Sequence, residues 1–212
     1  MRLTRYFASK VIAVFALSTA AFAQPQPATQ DDSYDPDSVN RGVARVSVLN
    51  GDVSVRRGDS GDFVAAAINA PLVVGDRILT GPNSRAEVQF DWANMIRVGA
   101  NSEIRLSELA YRRYQVQLAQ GTATFRVLRS SDADVEVSMP QVSIRPKREG
   151  IYRMSVHEDG QSEVTVRAGE VEVFSPRGVE TLRAGRTMQV RGTASDPEYL
   201  VVSAYGEDDW DR

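Results

Sequence analysis

Two short clusters that combine basic residues with tyrosine or proline are the best candidates for a ligand-binding surface. An arginine beside a tyrosine can stack on a flat ring and can donate two parallel hydrogen bonds to an anion. Such a surface suits a carbohydrate, a phosphate-bearing lipid headgroup or an acidic patch on a protein. Both clusters also fit a structural role, as loops between strands whose tyrosine rings cover the edge of the core. The candidate binding residues are Tyr111, Arg112, Arg113, Tyr114, Arg145, Lys147 and Arg148.

Residues suited to catalysis are scarce. The chain has no cysteine and one histidine, which excludes thiolate nucleophiles, Cys-ligated zinc, iron–sulfur clusters and sites with several histidines. That histidine, His157, precedes Glu158 and Asp159, but Asp159-Gly160 is typical of a tight turn, so these side chains fit a polar hairpin tip. No Gly-x-Ser-x-Gly motif is present to hold a serine nucleophile. We therefore predict no catalytic residue, no metal site and no cofactor.

The carboxylates also fit a structural role. Glu170 and Glu172 are spaced like the acid pair of a glycoside hydrolase, which needs two carboxyl groups about 5–10 Å apart. They alternate with valines, however, so we expect them on the outer face of a half-buried strand. The acidic runs at 31–37 and 207–211 lack the loop spacing of a calcium site, and we interpret them as solvated.

The N-terminus has the pattern of a secretory signal. Three basic residues in the first ten positions precede an apolar stretch at 11–22, which ends in Ala21-Phe22-Ala23. We interpret residues 1–23 as a signal peptide cleaved between Ala23 and Gln24, so we expect the mature protein in the periplasm or outside the cell. A retained N-terminal anchor is the alternative. We expect no transmembrane segment after the signal is removed.

The charge of the mature chain argues against binding to nucleic acid. The full chain has 25 basic and 28 acidic residues, and the predicted signal contains three of the basic ones. The remaining 22 basic residues against 28 acidic ones give a net charge of −6. A mildly acidic domain lacks the positive field that attracts a phosphate backbone.

Apolar and polar residues alternate along most of the chain from Val43 onward, which predicts half-buried strands. Turn signals such as Asn50-Gly51-Asp52 separate these runs, and helical spacing is absent. We therefore predict an all-β fold of short antiparallel strands in two sheets, forming a sandwich or an irregular, solenoid-like roll with no substantial helix. Phe90 and Trp92 continue the alternation from Val88, so we expect both rings in the core. The alternative for Trp92, a role in stacking on a sugar, would require it to be exposed at the hairpin tip.

The composition divides the mature chain into three parts. Residues 24–40 are rich in proline, glutamine and aspartate and predict a flexible linker. The β domain covers residues 41–192, and residues 193–212 form an acidic C-terminal tail. Within the domain, two apolar-x-apolar runs flank a glycine several times, and we expect each such glycine at a bend with positive φ or no room for a side chain. These glycines are Gly51, Gly121, Gly169 and Gly185.

Seven motifs follow one another in order between residues 43 and 191. They are Gly51-Asp-Val-Ser-Val55, Leu72-Val-Val-Gly-Asp-Arg-Ile-Leu-Thr-Gly81, Asn83-Ser-Arg-Ala-Glu-Val88, Asn101-Ser-Glu-Ile-Arg-Leu106, Leu118-Ala-Gln-Gly121, Val164 to Val173, and Leu182-Arg-Ala-Gly185. The ordered set resembles the FecR-type domain, named for a bacterial iron-dicitrate sensor. Where that domain has an Asp-Gly turn after its Ala-x-Val strand, this chain has Asp91-Trp92-Ala93-Asn94.

The resemblance implies a binding domain of the cell envelope and no enzymatic activity. Signalling members of the family add a cytoplasmic segment that binds a sigma factor and a membrane helix. The sequence matches neither, so we expect no direct contact with a sigma factor. We interpret the chain as an exported, non-enzymatic FecR-like binding or adaptor module, in envelope sensing or scaffolding, whose partner is an envelope protein or a cell-wall or surface polysaccharide.

A carbohydrate-binding module and a glycan-acting envelope enzyme are the alternatives. Each interpretation requires a different surface. An enzyme needs two carboxylates that converge in a cleft, a carbohydrate-binding module needs an exposed tyrosine or tryptophan platform, and a protein adaptor needs an uncovered apolar edge.

Overall fold

The protein is built from β-strands, as the alternating pattern predicts. The computed structural model describes residues 42–129 and 131–206, and it contains no helix in those ranges. The strands in chain order are β1 (Ala44–Asn50), β2 (Val53–Arg56), β3 (Phe63–Ala65), β4 (Pro71–Leu72), β5 (Arg77–Thr80), β6 (Arg85–Gln89), β7 (Asn94–Val98), β8 (Glu103–Ala110), β9 (Arg113–Val127), β10 (Asp134–Ser138), β11 (Ser143–Pro146), β12 (Gly150–Val156), β13 (Ser162–Ala168), β14 (Glu170–Ser175), β15 (Gly178–Arg183), β16 (Arg186–Gly192) and β17 (Pro197–Ser203).

These strands form two sheets that share the long strand β9. In sheet A the neighbours follow the order β4-β1-β6-β7-β9-β12-β13-β16-β17. In sheet B they follow the order β3-β2-β5-β8-β9-β10-β11-β14-β15. Residues 113–120 of β9 pair in sheet B and residues 121–127 pair in sheet A. All 17 strands therefore belong to one hydrogen-bonded network, and the predicted all-β fold is confirmed.

One strand pair departs from the predicted antiparallel arrangement. β10 runs parallel to the start of β9, with Val135 opposite Tyr114. The reason lies in the path of the chain, because β9 bends at Gly121 and its two ends lie in opposite sheets. β10 begins at Asp134, which lies opposite Arg113 at the start of β9, so β10 runs in the same direction as β9. A parallel pairing of this kind depends on the three-dimensional path of the chain, and the alternation of apolar and polar residues does not predict it.

A single apolar core fills the space between the sheets. It takes inward-facing side chains from both of them, in the period-two pattern that the sequence predicts. Burial of one such side chain contributes about 1.5–3 kcal/mol. The largest fully buried side chains are Tyr152, Phe125, Leu72, Ile78, Ile96, Ile104, Leu106, Leu118, Ile144, Met154 and Met188.

The chain passes from one sheet to the other at the glycines that the repeat singles out. Gly121, in the middle of β9, has a φ of +83°, and a Cβ there would come within 2.6 Å of the Ser102 Cα. The Ser102 hydroxyl accepts a hydrogen bond of 2.9 Å from the N–H of Thr122. Glycine is required at this bend because another residue would be strained and would also overlap its neighbour.

The crossing from β1 to β2 is built in the same way. Gly51 has a φ of +79°, and the Ser84 hydroxyl accepts a hydrogen bond of 2.8 Å from the N–H of Asp52. Ser84 and its counterpart at the other crossing each follow an asparagine with positive φ, which is Asn83 at 56° and Asn101 at 50°. The two Asn-Ser motifs of the sequence therefore hold the crossings between sheets.

Sheet A continues beyond the boundary predicted at residue 192. β17 pairs with every residue of β16, from Gly192 opposite Pro197 to Arg186 opposite Ser203. Residues 197–203, which the sequence assigned to the acidic tail 193–212, are thus a strand at the edge of the sheet. The apolar run at 199–202 accounts for this pairing.

The predicted signal peptide (1–23) and flexible linker (24–40) lie outside the described residues. Within the described ranges, no helix has the length and apolar character needed to cross a membrane.

Candidate functional site

An open groove with a volume of about 370 Å³ lies where four connecting segments meet. It is bordered by the residues before β1, by the turn between β6 and β7, by the turn between β8 and β9, and by the connection from β9 to β10. The lining segments are 42–43, 90–92, 109–112, residue 114 and 131–133. Four loops from both sheets thus form one concave surface.

Two exposed aromatic rings line this groove. Trp92 is 63% exposed and Tyr111 is 78% exposed, the highest value among the exposed large apolar residues. Each ring has an arginine over its face, with Arg129 5.8 Å from the Trp92 centroid and Arg112 5.6 Å from the Tyr111 centroid. These distances are within the range of cation–π attraction.

The prediction that Trp92 belongs to the core is wrong, whereas Phe90 is buried as predicted. β6 ends at Gln89, and the carboxylate of Asp91 accepts hydrogen bonds of 2.7 Å from the N–H groups of Ala93 and Asn94. These bonds close a tight turn, as side chains of aspartate often do. The turn ends the alternation at Phe90 and leaves Trp92 pointing outward.

The floor of the groove is aromatic and fully packed. Tyr114 is 8% exposed, and its ring stacks on Phe90 with a centroid distance of 5.1 Å. Its hydroxyl donates a hydrogen bond of 2.9 Å to Asp91. Tyr114 is a candidate binding residue in the sequence analysis, but its buried position fits the structural alternative, in which its ring covers the edge of the core. Its hydroxyl also stabilises the turn that exposes Trp92.

The electrostatics of this floor favour an ionised Asp91 beside a neutral Tyr114. Burial raises the pKa of the Asp91 carboxyl, but the hydrogen bonds from Asn94, Ala93 and Tyr114 outweigh burial and leave the pKa below its ordinary value. Burial, followed by the hydrogen bond to Asp91, raises the pKa of Tyr114. The carboxylate therefore acts as a fixed acceptor for the turn.

Arginines 112 and 113 of the first cluster point to different places. Arg112 has a φ of 57° in the β8–β9 turn, lines the groove and pairs with Asp132. Arg113 pairs instead with Glu108 at 3.4 Å and faces Asp134 at 3.9 Å. Of the first cluster, Tyr111 and Arg112 are thus the accessible groove residues.

The second cluster lies away from the groove and is charge-compensated. Arg145 pairs with Glu136 at 2.7 Å, and its guanidinium lies 4.9 Å from the Phe174 ring. Lys147 pairs with a carboxylate of β14 at 3.0 Å, and Arg148 pairs with another at 3.4 Å. These carboxylates are Glu172 and Glu170, the two acids considered for glycoside hydrolysis. The basic residues thus form ion pairs with glutamates of β10 and β14 in sheet B, and such exposed pairs contribute little individually.

The predicted hairpin at Asp159-Gly160 is confirmed. The N–H of Gly160 donates to the carbonyl of His157 at 2.9 Å, and the Asp159 carboxylate accepts from the N–H of Gln161 at 3.0 Å. His157 faces Glu163 at 3.6 Å. Among the described residues, no three metal-ligating side chains come together.

The sequence favours the core for Trp92 and does not single out Arg129 or Asp132. A usable signal was present for the first, because the four residues 91–94 are where the chain departs from the FecR motif order. Arg129 and Asp132 carry no such signal, since only the fold brings Arg129 over the Trp92 ring and Asp132 to the wall of the groove.

Comparisons with known proteins agree with the fold. Residues 76–172, a range that includes most of the groove, match the family model for FecR protein, which confirms the resemblance predicted from the motifs. Two crystal structures of a candidate anti-sigma factor from Parabacteroides distasonis, at 1.65 and 2.50 Å resolution, are similar to this chain. Each has 22% sequence identity and a TM-score of 0.51 over 60% of this chain and 59% of the other. At this identity the likeness concerns the fold alone. A search of curated proteins gave no significant match.

Proposed function

We propose that this chain is an exported, non-enzymatic binding module of the bacterial cell envelope, and that it binds its ligand in the groove. The match of residues 76–172 to the family model for FecR protein supports this proposal. The observation that carries this proposal is the pair of exposed rings, Trp92 and Tyr111, on one concave surface. Exposed aromatic side chains around a groove mark interaction sites, because their apolar area is otherwise left in water.

The state of the groove's carboxylates supports binding over catalysis. A glycoside hydrolase needs one carboxyl group with a raised pKa to act as an acid. Asp91 has a lowered pKa and is engaged by the turn and by Tyr114, and Asp132 is paired with Arg112. The Asp91 carboxyl is therefore unsuited to donate a proton to a leaving group.

A second binding mode, in which the chain acts as a protein adaptor, is favoured by the edge of sheet A. β17 is paired on one side only within the described residues, and it exposes Tyr199, Leu200 and Val201. An extended segment of an envelope protein would add to this edge by main-chain hydrogen bonds. This mode leaves the groove free, so the two modes predict different effects of groove mutations.

The test is retention of the mature protein on isolated cell envelopes. The double variant Trp92→Ala/Tyr111→Ala removes both rings, and the matched control Phe63→Ala removes a ring of equal exposure, 63%, which also has an arginine over it. We expect the double variant to lose at least about tenfold in affinity, or 1.4 kcal/mol, and the control to bind like the wild type. Equal retention of the wild type and the double variant would contradict the groove as the binding site.

A further inference from the structure

We infer that the ligand of the groove is a saccharide that carries a carboxylate, such as a uronic acid unit of an envelope polysaccharide. This inference rests on the proposed function and names its ligand class. It follows from three features. Two belong to the groove itself, which are its exposed rings and its mixture of hydrogen-bonding groups, and the third is an arginine over the Trp92 ring that has no acidic partner among the described residues.

The first feature is the exposed pair of rings. The apolar faces of a sugar, which consist of C–H groups, stack on flat aromatic side chains, and these side chains combine large contact area with few rotatable bonds. Trp92 and Tyr111 both border the groove, and each already has an arginine over its face. The groove volume of about 370 Å³ is at the lower end of the range for small-molecule sites, which suits one or two sugar units of a longer chain.

The second feature is the set of polar groups beside the rings. The Ser131 oxygen accepts hydrogen bonds from the Asn94 side-chain amide at 2.8 Å and from the Ala133 N–H at 3.2 Å, so its own hydrogen is available to a ligand. Asp132 supplies acceptors and Arg112 supplies donors at the same wall. A polyhydroxylated ligand, whose groups both donate and accept, matches this mixture better than a purely apolar or purely anionic one.

The third feature is Arg129. Its guanidinium lies over Trp92, and no carboxylate of the described residues is within ion-pair distance of it, whereas Arg112 is neutralised by Asp132. A guanidinium binds a carboxylate through charge-assisted, geometrically paired hydrogen bonds. A sugar stacked on Trp92 would bring a carboxylate substituent within reach of Arg129, which selects an acidic sugar over a neutral one.

The test is a titration of the mature protein with tri-galacturonic acid and with maltotriose, a neutral trisaccharide. The chain has two tryptophans, so Trp210→Phe leaves Trp92 as the sole fluorescent reporter. We expect the acidic trisaccharide to quench the fluorescence of Trp92 saturably, and the neutral trisaccharide to bind at least about fivefold more weakly.

The variants are measured by calorimetry. Tyr111→Ala should weaken binding of the acidic trisaccharide about tenfold, and Arg129→Ala should remove the preference for the acidic over the neutral trisaccharide. Phe63→Ala and Arg56→Ala, at the matched ring and arginine elsewhere, should change neither value.

Three outcomes would overturn the inference. They are the absence of saturable binding by either trisaccharide, equal affinity for both, and displacement of the acid by glycerol 3-phosphate at equal concentration, which would indicate a lipid headgroup site. If envelope retention still depends on Trp92 and Tyr111 in any of these cases, the groove binds another ligand and only the saccharide inference fails. If retention is independent of both rings, the proposed function fails as well.

Discussion

At the scale of single residues, Asp91 determines the geometry of the groove. Its carboxylate accepts hydrogen bonds from two backbone N–H groups of the β6–β7 turn, from the Asn94 amide and from the Tyr114 hydroxyl. The first three bonds stabilise the β6–β7 turn, in which Trp92 points outward. The bond from Tyr114 connects this turn to the stacked rings of Tyr114 and Phe90. The carboxylate thus positions the proposed binding surface, and its own oxygens are occupied by the turn and by Tyr114.

Replacing Asp91 should therefore destabilise the fold in a pH-dependent way. At pH 7, Asp91→Asn should cost about 1–2 kcal/mol because donors of the turn lose a charged acceptor. The folded-state pKa of Asp91 is lowered, so its contribution is fully present above the unfolded value near 4 and is lost as the pH falls through the folded pKa. The difference in unfolding free energy between wild type and variant, measured in urea, should hold from pH 7 to 5 and shrink by pH 3. A difference that does not change with pH would contradict this account.

Tyr114→Phe is a milder variant of the same network. It keeps the ring that stacks on Phe90 and removes only the hydroxyl that donates to Asp91. We expect a loss of about 1 kcal/mol in urea unfolding, the usual value for one hydrogen bond. A loss as large as that of a core truncation would mean that the hydroxyl has a further partner.

Asp76, like Asp91, has a carboxylate that accepts hydrogen bonds from several donors in loops. It is fully buried and accepts hydrogen bonds from the Arg57 guanidinium at 2.7 Å and from the N–H groups of Gly58 and Val73 at 3.0 Å. Asp76→Ala should cost about 3 kcal/mol, because it leaves these donors unpaired. Glu103→Ala, which removes a half-exposed ion pair with Arg77, is the control and should cost less than about 1 kcal/mol in the same unfolding assay.

At the scale of elements, the crossings between sheets determine how the strands are arranged. Gly121 and Gly185 both have positive φ, of +83° and +80°, but a Cβ would overlap Ser102 at the first and would meet nothing within 4 Å at the second. Gly185→Ala should therefore cost about 1–2 kcal/mol for the left-handed backbone alone. Gly121→Ala should cost at least about 2 kcal/mol more. Equal melting temperatures for the two variants would show that the packing at Ser102 is dispensable.

The sequence predicts these elements well where the signal is local. Alternation identifies the core strands, and Gly121 and Gly51 mark their bends, because backbone strain depends on a residue and its immediate neighbours. The parallel pairing of β10 with β9 is not predicted, because it depends on where the chain returns after residue 127. Trp92 is assigned to the wrong face, because the strand ends at Gln89, before the alternation does, and the hydrogen bonds of the Asp91 carboxylate close a turn there.

The candidate site is less predictable for the same reason. Of the cluster at 111–114, Tyr111, Arg112 and the buried Tyr114 line the groove, whereas Arg113 pairs with Glu108. The cluster at 145–148 resembles the cluster at 111–114 in composition, yet glutamates of the strands β10 and β14 pair with its charges. Composition alone does not separate a free arginine from a paired one.

At the scale of the whole molecule, sheet A needs the C-terminal strand that the sequence assigned to a tail. β17 covers one edge of β16, whose Met188 and Val190 are buried. A mature chain ending at residue 192 should unfold at a lower urea concentration than one ending at 206, because it exposes that edge to water. Identical urea midpoints of unfolding for the two chains would mean that residues 193–206 do not stabilise the domain, as the predicted boundary at 192 implies.

The central claim is that ligand binds at the groove formed by loops of both sheets. The most direct test places a photocrosslinking amino acid at Val43, which lines the groove, or at Val179 in β15, which is about equally exposed. Irradiation of cells of the native organism should give a crosslinked product from position 43 that disappears when Trp92→Ala is added, and no such product from position 179. A product of equal yield from both positions, or one from position 43 that persists without the Trp92 ring, would contradict the claim.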